Sequence, residues 1–291
     1  VATVNSSGVV TGVSAGTAII TYTNSNGCSK TQTVTIHALP TISGTASACV
    51  GTTTTLTGSG TAATTNPWVS ATTSVASVSS TGVVTGVSNG TSVITYTNNN
   101  GCTTTETVSV NALPSVSMSP TSATIVSGNS QTLTASGANS YSWSPSTGLS
   151  ATTGSSVSAS PTTTTTYTVT GTDLNGCSNS ATSTITVLSS LAGGTISGSQ
   201  TICFGEDPST FTNTVSPSGG SGSLTIQWQL STNAGGSWSD ISGANSNTYD
   251  VSNSISATTS YRRKVTDGSS VVQYSNTLVI TVNPKPSISL S

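Results

Sequence analysis

The chain of 291 residues is almost uncharged, because five Lys and Arg and seven Asp and Glu give a formal net charge of −2. Charged residues make up 4% of it, against about 25% in ordinary soluble domains. So few cations leave no basic face for phosphates, which excludes nucleic-acid binding. No apolar run approaches the roughly 20 residues of a membrane helix, so these residues are not expected to span a membrane themselves.

The opening 40 residues contain short strand patterns and are repeated at residues 75–114, with about two-thirds of the positions identical. Alternating Val, Ile and Thr predict strands, and no helical periodicity occurs. Thr17 to Thr23 and Thr31 to Ile36 are predicted as a hairpin, joined by an Asn-Ser-Asn-Gly turn. A repeat of this length indicates an array of similar modules.

The repeat divides the chain into five predicted pieces. Module 2 has seven strand candidates, and modules 3 and 4 keep its frame, which is typical of immunoglobulin-like sandwiches. The fold class expected is therefore all-β, with tandem immunoglobulin-like β-sandwich modules forming an extended rod. The pieces are residues 1–38 (the C-terminal part of module 1), 39–112 (module 2), 113–187 (module 3), 188–283 (module 4) and 284–291 (the start of module 5). Because the sequence begins and ends inside modules, we expect it to be a segment of a longer protein.

Modules 1 to 4 carry motifs that resemble those of known families. Residues 82–97, GVVTGVSNGTSVITYT, and their copy at residues 8–23 resemble the bacterial immunoglobulin-like group 2 domain. The YSWSP and TYTVTGTDLNGC runs of module 3, and the IQWQ and WSDISGA runs of module 4, resemble Ig-like and PKD-like repeats. Such repeats occur in giant cell-surface adhesins of Bacteroidota, which are exported by the type IX system and include gliding-adhesin-like proteins. The resemblance covers nearly the whole chain and implies a surface adhesin or filament stalk.

The five cysteines occupy two kinds of position in the repeated frame, which suggests disulfides formed in an oxidising exterior. Cys49 could pair with Cys102 inside module 2. Alternatively, the early cysteine of one module could pair with the late cysteine of the next, which joins Cys49 to Cys177. Cys28 and Cys203, and in the second scheme Cys102 as well, would then pair outside this segment. In that scheme the positions without cysteine, Val126 and Val271 or Val272, would have been partners.

No catalytic or metal-binding constellation is visible. The single histidine, His37, lies in a linker, and the only adjacent acids are Glu206 and Asp207, so no nucleophilic triad or calcium loop is predicted. We expect no enzyme activity, no cofactor and no metal. Trp68, Trp143 and Trp228 are expected in module cores, and Arg262, Arg263 and Lys264 on a solvated strand. Trp238 and Tyr249 are the candidate contacts for a ligand.

The function expected is that of a stalk segment in an extracellular adhesin or filament, stiffened by disulfides. Its partners would be further Ig-like modules of the same chain and a surface glycan or protein ligand. It would lie at the cell surface, attached to the outer membrane through regions outside this segment. The alternatives are a carbohydrate-binding or spacer array of a secreted enzyme, with an exposed aromatic strip, and a subunit of a self-assembling sheath.

Overall fold

A computed structural model describes residues 1–251 and 254–287. Every regular element in these residues is a β-strand, and no helix occurs among them. By contacts between Cα atoms, the chain separates into two compact units. The first unit contains Val1–Val116, Gly137–Ser140 and Thr170–Asn179, and the second contains Ser117–Ser136, Tyr141–Val169 and the chain from Ser180 onward.

The first strands form two antiparallel pairs, β1 with β2 and β3 with β4. They are β1 (Ala2–Val4), β2 (Val10–Gly12), β3 (Gly16–Thr23) and β4 (Ser29–Ile36). The β3–β4 hairpin matches the prediction apart from one or two residues at its ends. Its turn is closed by Asn24, whose Oδ1 accepts hydrogen bonds from the backbone N–H groups of Asn26 and Cys28, both at 3.0 Å.

The first sandwich comprises two four-stranded sheets, with strand orders β5-β7-β10-β9 and β6-β12-β11-β8. Inward-facing residues alternate along these strands, and Leu56, Ile94 and Val108 are at most 1% exposed. Trp68 packs against Tyr96 with ring centroids 4.6 Å apart. The strands are β5 (Ile42–Gly44), β6 (Ser47–Cys49), β7 (Thr53–Gly58), β8 (Trp68–Ser70), β9 (Ala76–Val78), β10 (Val83–Gly86), β11 (Gly90–Thr97) and β12 (Thr103–Asn111).

The first strand of this sandwich is split between the two sheets, a division that the sequence pattern did not predict. The first half, β5, pairs antiparallel with β7, whereas the second half, β6, pairs parallel with β12. The change of sheet begins at Gly44, which has a φ of 120°. A Cβ atom at this position would lie 2.4 Å from the carbonyl oxygen of Thr55, so glycine is needed both for the conformation and for the close approach.

The repeated residues 1–38 supply equivalents of only the later strands of the first sandwich. Tyr96 is 2% exposed beneath the strands that precede it, whereas its equivalent Tyr22 is 71% exposed. The same positions therefore carry the same side chains in both copies, but only the second copy encloses them in a core.

The second sandwich also has two sheets, with strand orders β13-β15-β17 and β14-β19-β18-β16. Its first strand is again split, since β13 pairs antiparallel with β15 and β14 pairs parallel with β19. Leu133, Trp143 and Ile185 are buried. The strands are β13 (Ser117–Ser119), β14 (Ser122–Val126), β15 (Gln131–Ser136), β16 (Ser140–Ser144), β17 (Ser156–Ala159), β18 (Thr165–Thr172) and β19 (Ser178–Leu188).

The third sandwich has a two-stranded sheet, β20-β22, and a larger sheet with the order β21-β27-β25-β23-β24, in which β26 also pairs with β25. Phe211, Trp228, Tyr249 and Tyr261 form an aromatic cluster in its core. Its strands are β20 (Thr195–Ser197), β21 (Gln200–Cys203), β22 (Thr212–Val215), β23 (Thr225–Ser231), β24 (Ser239–Asp240), β25 (Thr259–Thr266), β26 (Val272–Tyr274) and β27 (Leu278–Asn283).

The predicted all-β class with tandem immunoglobulin-like sandwiches is confirmed. The predicted start of a further module at residues 284–291 has no strand within residues 284–287. Its remaining four residues lie outside the described part of the chain.

Candidate functional site

The late cysteines lie in a hairpin turn whose geometry repeats along the chain. In the turn after β18, the Oδ1 atom of Asp173 accepts hydrogen bonds from the backbone N–H groups of Asn175 (2.8 Å) and Cys177 (2.9 Å). Asn98 holds Asn100 and Cys102 in the same way, both at 3.0 Å. An Asx side chain that caps its own turn fixes the residue four positions later. Each late cysteine therefore begins the return strand at a defined point.

The early cysteines end the parallel half of the split first strand. Cys49 is in register with Asn111 at the end of β12, and Cys203 is in register with Asn283 at the end of β27. Because a parallel strand runs in the same direction as its neighbour, β6 reaches the end of the sandwich at which the last strand also ends. Cys49 is thereby placed where the chain leaves the first sandwich.

The structure contains a disulfide between Cys49 and Cys177, with an S–S distance of 2.00 Å and a Cα–Cα distance of 5.6 Å. The Cα–Cα distance lies in the usual range of about 4.4–6.8 Å for disulfides. Both cysteines belong to the first compact unit, although Cys177 comes from the final hairpin of the second sandwich. Beside the bridge, the side-chain amide of Asn179 donates a hydrogen bond to the carbonyl oxygen of Pro114 at 3.1 Å.

Of the two pairings that the sequence left open, the structure thus contains the one that crosses from one predicted module to the next. Cys102, the partner in the other scheme, is a free thiol, as are Cys28 and Cys203. Cys177 is fully buried, whereas Cys28 and Cys203 are exposed.

Two valines occupy the corresponding positions in the second compact unit. Val126 is in register with Leu188 at the end of β19, as Cys49 is with Asn111. The backbone N–H of Val271 donates to Oδ1 of Asp267 at 2.9 Å, as that of Cys177 donates to Asp173. Val126 and Val271 line the same cavity of about 250 Å³. The pairing scheme that joins Cys49 to Cys177 predicted that the two positions without cysteine, Val126 and Val271 or Val272, would be partners.

Asp267 does more than close its turn. Its Oδ2 accepts a hydrogen bond from the backbone N–H of Ser221 at 2.9 Å, which ties the turn to the loop before β23. The backbone N–H groups of Ser221 and Val271 hold the pKa of the Asp267 carboxyl below its ordinary value, because they stabilise the charged form.

The expectation of a solvated strand at residues 262–264 was wrong for Arg263, which is fully buried. Its Nη1 donates to Oδ1 of Asn213 at 2.7 Å and to the carbonyl oxygen of Asn247 at 3.2 Å. Its Nη2 donates to the carbonyl oxygens of Gly193 (3.0 Å) and Val215 (3.2 Å). Among the described residues, Nε has no hydrogen-bond partner. Burial lowers the pKa of the Arg263 guanidinium, because the charged form is desolvated.

The alternation of the strand explains this difference between neighbours. The predicted alternation of faces is present, but the inner face of β25 carries Arg263, where a hydrophobic residue is usual. Five guanidinium N–H donors and a fork geometry allow one arginine to satisfy several backbone carbonyls at once. Arg263 therefore ties the strands and loops of the third sandwich together from the inside.

On the outer face of the same strand, Arg262 lies between two aromatic rings. Its guanidinium carbon is 4.2 Å from the ring centroid of Trp238 and 3.8 Å from that of Tyr274. Its Nε donates to Oε1 of Gln229 at 2.8 Å. This arrangement holds Trp238 against the sheet through a cation–π contact.

The two aromatic residues predicted as ligand contacts do not form one strip. Tyr249 packs in the core cluster, with ring centroids 5.5 Å from Trp228 and 6.4 Å from Phe211. Burial raises the pKa of its phenol and raises that of Tyr261 to about 12. Trp238 and Tyr249 line different cavities. Trp68, Trp143 and Trp228 are buried as predicted.

The acidic pair and the histidine make no site. The Oε2 atom of Glu206 accepts a hydrogen bond from the backbone N–H of Cys203 at 2.8 Å, which closes a turn. His37 is exposed. In residues 1–251 and 254–287, no cluster of three or more His, Cys, Asp or Glu could hold a metal ion. The same residues include no helix long and apolar enough to cross a membrane.

Residues 192–284 match the model of a family described only as a domain of unknown function, DUF8696. Among curated proteins, no match was found. Similar solved structures include titin domains I67–I69 in a three-Ig structure of an E-to-A variant. This likeness has 10% identity and a TM-score of 0.38, and covers 86% of this chain and 100% of that one.

Two further similar structures come from chains of several extracellular or Ig domains. For extracellular domains 3–5 of Drosophila OTK, the identity is 10% and the TM-score 0.37, with 81% of this chain and 94% of that one covered. For the N-terminal four Ig domains of Dscam1, the identity is 11% and the TM-score 0.33, with 97% and 86% covered.

Proposed function

We propose that this chain is a structural stalk segment of an extracellular surface adhesin or filament, in which disulfides join consecutive modules. The supporting observation is the bridge from Cys49, at the exit of one sandwich, to Cys177, in the last hairpin of the next. The modules that we propose to be joined are those predicted at residues 39–112, 113–187 and 188–283. A bridge at this position restricts the joint between two modules rather than the core of either.

The free thiols fit the same rule of early cysteine to late cysteine of the following module. Cys203 ends β21 as Cys49 ends β6, so its partner would be the late cysteine of a following module. Cys28 and Cys102 lie in capped turns like that of Cys177, so their partners would be early cysteines of preceding modules. Attachment to an outer membrane and export by a type IX system belong to the same proposal, and rest on the sequence resemblance alone.

A second disulfide should form when the two valines at the next joint are replaced. We expect the double variant V126C/V271C to oxidise spontaneously, because both positions repeat the backbone settings of Cys49 and Cys177 and line one cavity. Titration of thiols under denaturing conditions checks this outcome. The wild type has three free thiols, and the oxidised variant should still have three.

The matched control is V126C/V272C, in which the second cysteine stands one residue later, at the start of β26, and points to the opposite face. It should show five free thiols if only the first register brings the positions together. Five free thiols in V126C/V271C would contradict the proposed equivalence of the two joints.

Mechanical extension tests the stalk function itself. When the oxidised chain is pulled from its two ends, the bridge should carry the load. The chain between Cys49 and Cys177, with a sequence separation of 128, should then not be extended. At about 3.5 Å per residue, this withholds about 45 nm of contour length relative to the C49S/C177S variant. Single-molecule force spectroscopy measures this difference directly. C102S, which removes a free thiol, should extend like the wild type. Equal contour lengths for wild type and C49S/C177S would show that the bridge does not carry the load.

A further inference from the structure

A cavity of about 600 Å³ opens on the outer face of the third sandwich, a volume within the range of small-molecule sites. Trp238 forms one wall, and the loop of residues 232–235 continues it. Ser260 and Val279 form the floor, from the neighbouring strands β25 and β27. All nine lining residues are uncharged, which favours a neutral ligand over an ionic one.

The floor contains a hydroxyl group that does not bond to the protein. Ser260 is only 6% exposed, yet its hydroxyl has no hydrogen-bond partner among the described residues. The indole N–H of Trp238 is also without a partner there, whereas the indole N–H of Trp228 donates to the carbonyl oxygen of Ser246 at 2.8 Å. Neither polar atom is among the fully buried atoms without a partner in the described part of the chain, so both can hydrogen-bond to water or to a bound molecule.

The wall is held rigid by its own hydrogen bonds. Oδ1 of Asn233 accepts from the hydroxyl of Ser231 and from the backbone N–H of Ser237, both at 2.8 Å. The same Ser231 hydroxyl accepts from the backbone N–H of Gly235 at 2.9 Å. Ala234 has a φ of 56°, a conformation that costs free energy in a residue other than glycine and is often found where a ligand binds.

The position of Trp238 is set from outside the cavity. Arg262 lies against its ring and is itself backed by Tyr274. Gln229 receives the Arg262 Nε–H and donates to Oδ1 of Asp240 at 2.6 Å. None of these four supporting residues lines the cavity. The charged groups thus orient the indole without giving the cavity a charge.

We propose that this cavity binds a neutral saccharide. The C–H face of a sugar ring would pack on the indole of Trp238, and its hydroxyl groups would pair with the Ser260 hydroxyl and the indole N–H. A rigid aromatic wall with a few fixed polar groups matches what such a ligand requires, since preorganised groups lose little entropy on binding. The inference extends beyond the stalk function and does not depend on the disulfide joint.

Affinity gel electrophoresis in a panel of soluble β-glucan, xylan and galactomannan tests the proposal. At least one of these neutral polysaccharides should retard the protein. W238A and S260V should each weaken the association at least tenfold, whereas Y274A, which removes only the outer half of the Arg262 stack, should bind within twofold of wild type. C49S/C177S should bind like wild type, which separates this test from that of the stalk.

Three results would overturn the proposal. One is the absence of retardation by every neutral polysaccharide, and another is undiminished binding by W238A and S260V. The third is equal retardation by the anionic polysaccharide alginate that salt abolishes, since this would indicate an ionic contact outside the cavity. Thermal melting of each variant verifies that the third sandwich remains folded.

Discussion

Replacing Cys49 and Cys177 together by serine is expected to lower the free energy of unfolding of the first compact unit by about 2–5 kcal/mol. The bridge closes a loop with a sequence separation of 128. The chain-entropy model gives about 5 kcal/mol for a loop of this length, and measured disulfides typically contribute about 2–4 kcal/mol. Urea unfolding of the oxidised wild type and of the variant, followed by the intrinsic fluorescence of the tryptophans, measures the difference.

Two controls separate the bridge from the loss of a thiol. C102S should unfold within about 0.5 kcal/mol of the wild type, because Cys102 is a free, partly exposed cysteine. Addition of a reductant should lower the wild type to the level of C49S/C177S and leave that variant unchanged. If reduction does not shift the wild-type midpoint, the bridge does not stabilise this unit.

Replacing Arg263 by methionine should cost the third sandwich at least about 3 kcal/mol. Methionine fills a similar volume, but the buried carbonyl of Gly193 and three partly buried acceptors, on Asn213, Val215 and Asn247, lose their donor. Each unsatisfied buried acceptor costs about 1–3 kcal/mol. Lysine should rescue the site only in part, because an ammonium group cannot reproduce the guanidinium fork.

The adjacent residue is the matched control for this effect. R262M should cost about 1 kcal/mol or less, since Arg262 is partly exposed and its cation–π contacts are of that size. Denaturant unfolding followed by the intrinsic fluorescence of the tryptophans compares the two variants. A loss for R263M as small as that for R262M would show that the buried hydrogen bonds contribute little.

The repeat and the turn chemistry made most strands predictable. The β3–β4 hairpin lies within two residues of its predicted bounds, because polar turns and β-branched alternation limit its strands locally. The split of the first strand was missed, since it depends on the approach of Gly44 to Thr55 in another strand. A contact over that separation leaves only a weak local signal, here a single glycine in a short strand.

The joint could be predicted only as one of two pairings. The capped Asn-Gly-Cys turns are visible in the sequence, and they place Cys177 at the start of a return strand. The placement of Cys49 depends on the parallel pairing of β6 with β12, which no local pattern specifies.

The cavity residues and the buried arginine could be predicted only in part from the alternation within one strand. Alternation correctly separates Arg262 from Arg263, but it does not indicate which face is inside when both are cationic. The available indication was that Tyr261 and Val265, two positions away on either side of Arg263, are apolar and share its face of the strand. Trp238 was predicted as a candidate ligand contact, whereas the role of Ser260 depends on β27 and on the 232–235 loop.

Peptide mapping of the oxidised protein without reduction tests the central claim, that a disulfide joins one module to the next. Trypsin has no cleavage site between Lys30 and Arg262, so chymotrypsin is used, which can cut at Leu56, Tyr96 and Tyr167. We expect mass spectrometry to find the Cys49 peptide linked to the Cys177 peptide. A Cys49 peptide linked to Cys102 would contradict the joint and return the bridge to the interior of a single module.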